Sequence, residues 1–120
     1  MKSKKEIKDS YKEMKFRIGV FQIKNTVNNK IYIECSTDLV AIWNRHKFQL
    51  NGGLHPNNNL QKEWNEFGEE NFKYEILSEI TQNDIKTIDH YRREAKQLEA
   101  MFIEELQPFG NKGYNTEKLK

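Results

Sequence analysis

The sequence predicts a single α/β (α+β) domain, with a small three-stranded antiparallel sheet flanked by helices. Two β-rich segments lie on either side of an asparagine turn, a third follows later, and helix-forming stretches separate and follow them. A chain of 120 residues can bury a modest core without metals or disulfides. No internal repeat, low-complexity tract or linker indicates a second domain.

The three predicted strands are residues 17–25, 30–34 and 72–78. The first two form a hairpin, because Asn28 and Asn29 between them tolerate positive φ. Residues 72–77 alternate between apolar and polar side chains, as expected of a strand with one covered face. We therefore expect the three strands to pair in one antiparallel sheet.

Two helices are predicted between the second and third strands. The first is capped within residues 36–38 and runs to about Leu50, where two glycines stop it. The second is capped within residues 57–59 and ends at Gly68 in a left-handed conformation. The aromatic residues predicted to lie in the core are Trp43, Trp64, Phe67 and Phe72.

Two more helices are predicted, one near each end of the chain. Residues 3–15 predict a polar helix with a thin apolar stripe, so residues 1–16 form an appendage. The last long helix starts at Asp84 or Asp89 and continues until Pro108. The main domain is placed at residues 17–115, and residues 116–120 form a tail.

Charge and cysteine content narrow the functional classes. The single cysteine excludes an internal disulfide, and no apolar run suffices for a secretory signal or a membrane span, so a cytoplasmic location is expected. Residues 1–17 carry 7 basic and 3 acidic residues, whereas residues 63–105 carry 5 and 12. The N-terminal half could face a phosphate backbone, or its lysines could decorate a solvated helix.

Several short motifs follow one another in a fixed order. They are Gly19-Val20-Phe21, Tyr32-Ile33-Glu34, Ser36, Leu60-Gln61, Trp64-Asn65-Glu66-Phe67-Gly68, Glu99 and Gly113-Tyr114-Asn115. Over roughly residues 17–115 this order resembles the GIY-YIG nuclease family. The resemblance implies a three-stranded antiparallel sheet flanked by helices, and cleavage of DNA with one divalent metal ion.

The resemblance also assigns the family's site positions to residues of this chain. Tyr32 stands at the second-motif tyrosine, which serves nucleophile activation and site organisation, and Glu99 stands at the glutamate that binds Mg²⁺ or Mn²⁺. Phe21 stands at the first-motif tyrosine, Glu34 at the second-motif glycine, and Ile42 at the arginine that contacts the scissile phosphate. The remaining residues predicted to line the site are Gly19, His46 and Asn115.

The three replacements remove groups that the chemistry uses. Phe21 has no hydroxyl to donate a hydrogen bond or move a proton, and Glu34 fills space that glycine leaves open. Ile42 cannot neutralise a phosphoryl transition state. Arg45 lies three residues later on nearly the same helix face, about 4.5 Å along the axis, and either stands in for the missing arginine or extends into solvent.

Several candidates also have a purely structural interpretation. Glu99 lies among apolar helical neighbours, so its carboxylate binds a metal or a basic partner, takes up a proton, or reaches solvent at the core boundary. Tyr32 could be a core aromatic of a strand, and Asn115 could tie down the chain end through backbone hydrogen bonds. His46 could be a helix boundary residue.

The other histidines and the cysteine are predicted to be structural. His55 is predicted to be a loop residue and His90 a residue of a helix start, and no metal-ligand spacing links the three histidines. Cys35 lies between a strand and a helix with no evident base nearby, so we interpret it as a packing residue.

The sequence thus predicts a GIY-YIG-like domain with impaired or lost phosphodiesterase chemistry that binds nucleic acid. One alternative is an active DNA endonuclease, dependent on Mg²⁺ or Mn²⁺, that uses Tyr32, Arg45 and Glu99. Another is a protein-interaction domain whose acidic C-terminal half meets a basic protein. The substrate and the oligomeric state stay open at this point.

Overall fold

The computed structural model describes residues 16–83 and 86–117. Its elements follow in the order β1 (Gly19–Asn25), β2 (Ile31–Ser36), α1 (Leu39–Asn51), α2 (Asn58–Phe67), β3 (Phe72–Glu79) and α3 (Ile88–Leu106), with 3-10 turns at Glu69–Asn71 and Gly110–Lys112. The helix predicted at residues 3–15 lies outside the described residues. Within the described part of the chain, no helix has both the length and the apolar character needed to span a membrane.

The three strands form one antiparallel sheet in the order β2-β1-β3, which confirms the predicted sheet. The hairpin turn places Asn29 at φ 66°, the positive φ that its sequence predicts. Gly19 is required by the pairing of β1 with β3, because a side-chain carbon at this position would lie 2.0 Å from the carbonyl oxygen of Ser78. The predicted site-lining role of Gly19 therefore has a structural explanation in strand packing.

Helices cover both faces of the sheet, and each face has its own apolar cluster. On one face, residues of α1 and α2 pack on Phe21 and Ile23 of β1, together with Trp64 and Phe72. On the other face, α3 contributes Tyr91 and Ala95 to a smaller cluster. The predicted core positions of Trp64 and Phe72 are confirmed, while Trp43 and Phe67 are partly buried against the first cluster.

The two predicted caps of α1 and α2 are confirmed. The side chain of Asp38 accepts hydrogen bonds from the first-turn amides of α1, and the side chain of Asn57 accepts one from Leu60 at 3.0 Å. Gly68 ends α2 at φ 86° and ψ 157°, so its φ is positive as predicted but its ψ is extended rather than left-handed helical.

The start of α3 differs from the prediction. The helix begins at Ile88 with Thr87 as its cap, rather than at Asp84 or Asp89. The Thr87 side chain accepts a hydrogen bond from the His90 amide, and Asp89 lies inside the first turn, where a carboxylate is favoured by the helix dipole. An aspartate near a helix start can occupy either position, and the sequence pattern did not separate the two.

The outer edge of β2 is closed by groups from distant parts of the chain. The Asn115 side chain bonds both the amide and the carbonyl of Ile33, each at 2.8 Å, which confirms that it ties the chain end to backbone. The Tyr114 amide donates to the Ile31 carbonyl at 2.9 Å. Glu99 of α3 accepts from the Cys35 amide at 2.8 Å. These contacts satisfy an edge strand that would otherwise expose unpaired backbone groups.

Candidate active site

Glu34 lies at the centre of the candidate site and bonds to two of the predicted site residues. Tyr32 and Glu34 are two positions apart on β2 and therefore point to the same face of the sheet. One carboxylate oxygen of Glu34 is 2.7 Å from Nε2 of His46 on α1, and the other is 3.4 Å from the Tyr32 hydroxyl. A carboxylate therefore connects the strand tyrosine to the helix histidine.

His46 also contacts His55, which lies in the loop between α1 and α2. Nδ1 of His46 is 2.8 Å from Nε2 of His55, and both residues are 5% exposed. The backbone amide of Asn57 donates to Nδ1 of His55 at 3.0 Å, and the His55 amide donates to the Gln61 side chain at 3.0 Å. The loop is thus held so that His55 faces α1.

These contacts assign the protons along what we call the histidine chain: Tyr32, Glu34, His46 and His55. Because Nδ1 of His55 accepts from a backbone amide, its proton resides on Nε2 and is donated to Nδ1 of His46. His46 then carries its proton on Nε2 and donates it to Glu34. The network is satisfied when both histidines are neutral and Glu34 is ionised.

The pKa shifts agree with this proton assignment. Burial, assisted by the neighbouring His46, lowers the pKa of His55 below its ordinary value. Burial, the charge of Glu34 and the hydrogen bond to it raise the pKa of Tyr32 far above its ordinary value, and Glu99 adds to the shift. The Tyr32 phenol therefore keeps its proton and donates it to a carboxylate.

Glu99 lies at the edge of β2 rather than on the face that carries the histidine chain. Its carboxylate accepts the Cys35 amide, and its charge still raises the pKa of Tyr32. Burial and then Glu99 raise the pKa of the Cys35 thiol to about 12. A thiol with that pKa is a poor nucleophile, in agreement with the packing role predicted for Cys35.

Of the predicted site positions, Phe21, Tyr32 and Ile42 belong to one apolar cluster, and Glu99 is near enough to Tyr32 for its charge to raise the pKa of that residue. Phe21 is fully buried, with its ring centre 5.7 Å from that of His46 and 5.1 Å from that of Tyr74. Ile42 is partly buried and packs against the same apolar cluster. Phe21 is therefore a core residue and Ile42 lies at the core boundary, because α1, which carries Ile42, packs on the sheet face that carries Phe21.

Tyr32 and Glu99 line two neighbouring cavities that share Thr116. The first, which we call the amide-lined cavity, has a volume of about 640 Å³ and no charged lining residue; its wall includes Tyr32, Asn57, Asn58, Asn59, Asn115 and Thr116. The second, which we call the acidic cavity, has a volume of about 430 Å³ and is lined by Glu99, Glu104 and Glu117 with several apolar groups. The candidate site therefore has a neutral part and a negatively charged part.

Arg45 is exposed and lines neither of these cavities. No ion pair or hydrogen bond joins its side chain to another of the described residues. Its guanidinium is therefore available to a ligand at the surface of α1, beside the partly buried Ile42 rather than in its place.

Glu99 fits a role as the single protein ligand of a divalent metal ion. Among the described residues, no group of three histidine, cysteine, aspartate or glutamate side chains could hold a metal. Mg²⁺ usually keeps several waters and takes only one or two carboxylates together with substrate phosphates. Glu99 lines an open cavity and would serve as that carboxylate for Mg²⁺ or Mn²⁺.

His55 is a loop residue, as predicted, but its contact with the candidate site was not predicted. Its contact with His46 depends on the return of a loop nine residues further along the chain, so no local periodicity announces it. The predicted ends of α1 and α2 could have indicated this contact. A connection this short must pass close to the end of α1, which carries His46.

Comparisons with known proteins came out as follows. No family model matches the chain. Over 62 residues, or 52% of this chain, it is 42% identical to intron-associated endonuclease 1 of Enterobacteria phage T4, of which it spans 25% of the length. It is also similar to the catalytic domain of the homing endonuclease I-TevI, with 34% identity, a TM-score of 0.66, and coverage of 84% of this chain and 99% of that one. A mutant of the I-TevI catalytic domain gives 34% identity, a TM-score of 0.64, and coverage of 83% and 93%.

Proposed function

We propose that this chain, which belongs to the GIY-YIG nuclease family, is a nuclease-like domain that binds nucleic acid but has impaired or lost phosphodiesterase chemistry. The observation that carries the proposal is the position of Glu34. Its carboxylate binds His46 and Tyr32 at once, so both groups that could serve a reacting phosphate are engaged within the protein.

The engaged groups are poor catalysts in this state. A general base must have an acceptor available to the proton that it removes. Tyr32 keeps its proton because its pKa is raised, and the acceptor nitrogen of His46 faces His55. Phe21 has no hydroxyl and is buried, so it cannot replace either group.

The charge balance of the site also opposes phosphodiester chemistry. Negative charge grows on the phosphoryl group in the transition state, and enzymes stabilise it with cations or hydrogen-bond donors. This site presents the carboxylates of Glu34 and Glu99, while Ile42 lies at the core boundary and Arg45 is displaced toward solvent. A metal ion bound at Glu99 would supply Lewis-acid stabilisation. No positive side chain would assist it from position 42, because that residue is an isoleucine.

Binding without turnover has separate support. Phosphate contacts supply most of the affinity of nucleic-acid-binding proteins and need no catalytic geometry. Residues 1–62 carry 12 basic and 5 acidic residues, whereas the acidic residues concentrate in the C-terminal half. The similar proteins are named endonucleases, so nucleic acid is the ligand class that the family favours.

The decisive experiment restores the missing groups. Phe21→Tyr, Glu34→Gly and Ile42→Arg are combined, and cleavage of supercoiled, linear and branched DNA is measured with Mg²⁺ or Mn²⁺. Each well-placed contact is worth roughly 1–3 kcal/mol, so we expect slow or undetectable cleavage to rise by at least about tenfold. Glu99→Ala in the restored background should abolish the gain.

A matched control separates site chemistry from added charge. Val40→Arg, in place of Ile42→Arg, adds the same group to the exposed face of α1, because Val40 is 57% exposed. This control should leave cleavage at the level given by the other two changes. Equal cleavage in the two combinations would count against the proposed role of the Ile42 position.

The active-enzyme alternative is favoured by the exposed guanidinium of Arg45, which pairs with no other residue that the structure describes. If the unmodified protein cleaves DNA with ordinary turnover and Glu99→Ala removes that activity, the impairment proposal is wrong. Arg45→Ala would then decide the mechanism, with Lys47→Ala as the control one residue beyond His46. Loss of cleavage in Arg45→Ala alone, with folding and metal binding intact, would identify Arg45 as the substitute arginine.

The protein-interaction alternative is supported by the acidic cavity, whose three glutamates lie beside apolar groups. A basic protein segment would match this combination of charge and apolar surface. If the unmodified protein binds none of the three DNA forms, the nucleic-acid proposal fails and this alternative becomes the favoured one.

A further inference from the structure

The amide-lined cavity holds three polar side chains that make no hydrogen bond to another residue within the described ranges 16–83 and 86–117. Asn57 and Asn115 are committed to the fold, since Asn57 caps α2 and Asn115 pairs with the edge of β2. In contrast, no hydrogen bond joins the side chains of Asn58, Asn59 or Thr116 to another residue in the described part of the chain. Two amides and one hydroxyl are therefore available to a ligand in the cavity.

The side chains of the wall disfavour a phosphate as the main ligand of this cavity, although the N-terminus of α2 at Asn58 attracts anions. No charged residue lines it, and the acidic cavity begins at Thr116 with Glu99 and Glu117. A phosphate bound here would lack a cationic partner and would face negative charge. A neutral ligand with several donors and acceptors suits the wall better, because each amide offers both.

Planarity and size point to one class of neutral ligand. The ring of the half-buried Tyr32 forms part of the wall, and aromatic rings favour flat partners. The volume of about 640 Å³ lies within the range of small-ligand pockets. Asparagine amides pair with the edges of nucleobases, for example with N6 and N7 of adenine.

We infer that the amide-lined cavity binds a single unpaired nucleobase of a nucleic-acid strand, through the amides of Asn58 and Asn59 and the ring of Tyr32. The inference rests on the proposed binding of nucleic acid. The base must be unpaired because it has to pass the exposed Asn58 and Asn59 to reach the half-buried Tyr32, and a base within a duplex cannot do so without leaving the stack. The phosphate contacts of the proposed function do not depend on base sequence. This site would add recognition of bulged or frayed bases.

The experiment compares two DNA duplexes that differ in one base. One carries a single-adenine bulge, and the other carries an abasic residue at the same position, so that the sugar-phosphate backbone is matched and the base is absent. Binding of the unmodified protein is measured by fluorescence anisotropy without metal. Stacking on an aromatic ring together with amide contacts should favour the adenine bulge by about tenfold.

Variants test whether the amides carry this preference. Asn58→Ala combined with Asn59→Ala should reduce the preference to less than about twofold while binding to the abasic duplex is unchanged. Asn57 is kept in this variant, so the cap of α2 remains. The matched control is Asn44→Ala with Asn111→Ala, which removes two exposed amides outside the cavity.

Each result has one interpretation. Equal binding of the bulged and abasic duplexes by the unmodified protein would overturn the inference and leave the proposed nucleic-acid binding intact. Loss of the preference in the Asn44 and Asn111 control would also overturn it, since the effect would not belong to the cavity. Failure to bind any DNA would overturn the proposed function together with the inference.

Discussion

Two glutamates of this domain, Glu63 and Glu34, have the same side chain and opposite consequences. Glu63 of α2 accepts hydrogen bonds from four groups, which are Asn25, Asn28, Lys30 and Tyr114. We call this cluster the hairpin clasp, because it joins the β1–β2 turn to α2 and to the chain end. Among the residues that the structure describes, the Glu34 side chain hydrogen-bonds only with His46 and Tyr32, both of them candidate site residues.

The two carboxylates differ in the groups from which they accept hydrogen bonds. The Glu63 side chain is 13% exposed, and burial opposes its ionisation, but the donors around it outweigh burial and hold its pKa below the ordinary value. Glu34 is 32% exposed and accepts hydrogen bonds from groups that could otherwise act on a ligand. One glutamate stabilises the fold, whereas the other occupies the site.

The largest expected effect comes from the hairpin clasp. Glu63→Ala leaves Lys30, Asn25 and the Tyr114 hydroxyl without their shared acceptor, so we expect a loss of about 2–4 kcal/mol in the free energy of unfolding. Urea denaturation followed by circular dichroism measures this. Glu66→Ala, on the exposed side of the same helix, should stay within about 0.5 kcal/mol of the unmodified protein.

The contrasting variant is Glu34→Gln, which keeps the shape of Glu34 and one acceptor oxygen for His46, but removes the charge and the acceptor for the Tyr32 hydroxyl. It should cost clearly less stability than Glu63→Ala. A Glu34→Gln variant as unstable as Glu63→Ala would contradict the distinction, because it would make Glu34 a structural carboxylate as well.

The sequence predicted the parts of this contrast that depend on neighbouring residues. The positive φ of Asn29, the caps at Asp38 and Asn57, and the three strands all follow from local signals. The hairpin clasp and the histidine chain do not, because Glu63 meets partners more than 30 residues away and His55 meets His46 through a loop. The replacements at Phe21 and Ile42 were visible in the sequence, but their burial depends on how α1 lies on the sheet.

The next prediction is that the histidine chain and the hairpin clasp affect the stability of the protein in different pH ranges. The pKa of His55 is lowered on folding, so the unfolded chain takes up its proton first and stability falls as the pH drops below about 6.5. His46, the Tyr32 ring and the Asn57 amide surround His55, and a proton added to Nδ1 of His55 would replace the acceptor of the Asn57 amide with a second donor. The pKa of Glu63 is also lowered on folding, but its contribution is lost only below about pH 4.5.

Thermal melting of the unmodified protein and of His55→Gln between pH 7.5 and 5.5 tests this order. We expect the melting temperature of the unmodified protein to fall more steeply over this window than that of the variant. Glu63→Gln should retain the steep fall, because Glu63 does not titrate there. Parallel curves for the unmodified protein and His55→Gln would show that the histidine chain does not resist protonation.

The smallest expected effect concerns Glu99, a third carboxylate that shares features of the other two. Like Glu63 it accepts a hydrogen bond that holds the fold, in this case from the Cys35 amide. It also lines a cavity.

Because burial is the main cause of the raised pKa of the Cys35 thiol and Glu99 the second, Glu99→Gln should lower that pKa only in part. Alkylation of Cys35, the only cysteine in the chain, should then be modestly faster at pH 8.5 and is measured by mass spectrometry. Glu104→Gln is the control, because it removes a charge from the same cavity and leaves the hydrogen bond of the Cys35 amide in place. It should leave the alkylation rate unchanged. Equal acceleration in both variants would mean that Glu99 acts only through the general charge of the acidic cavity.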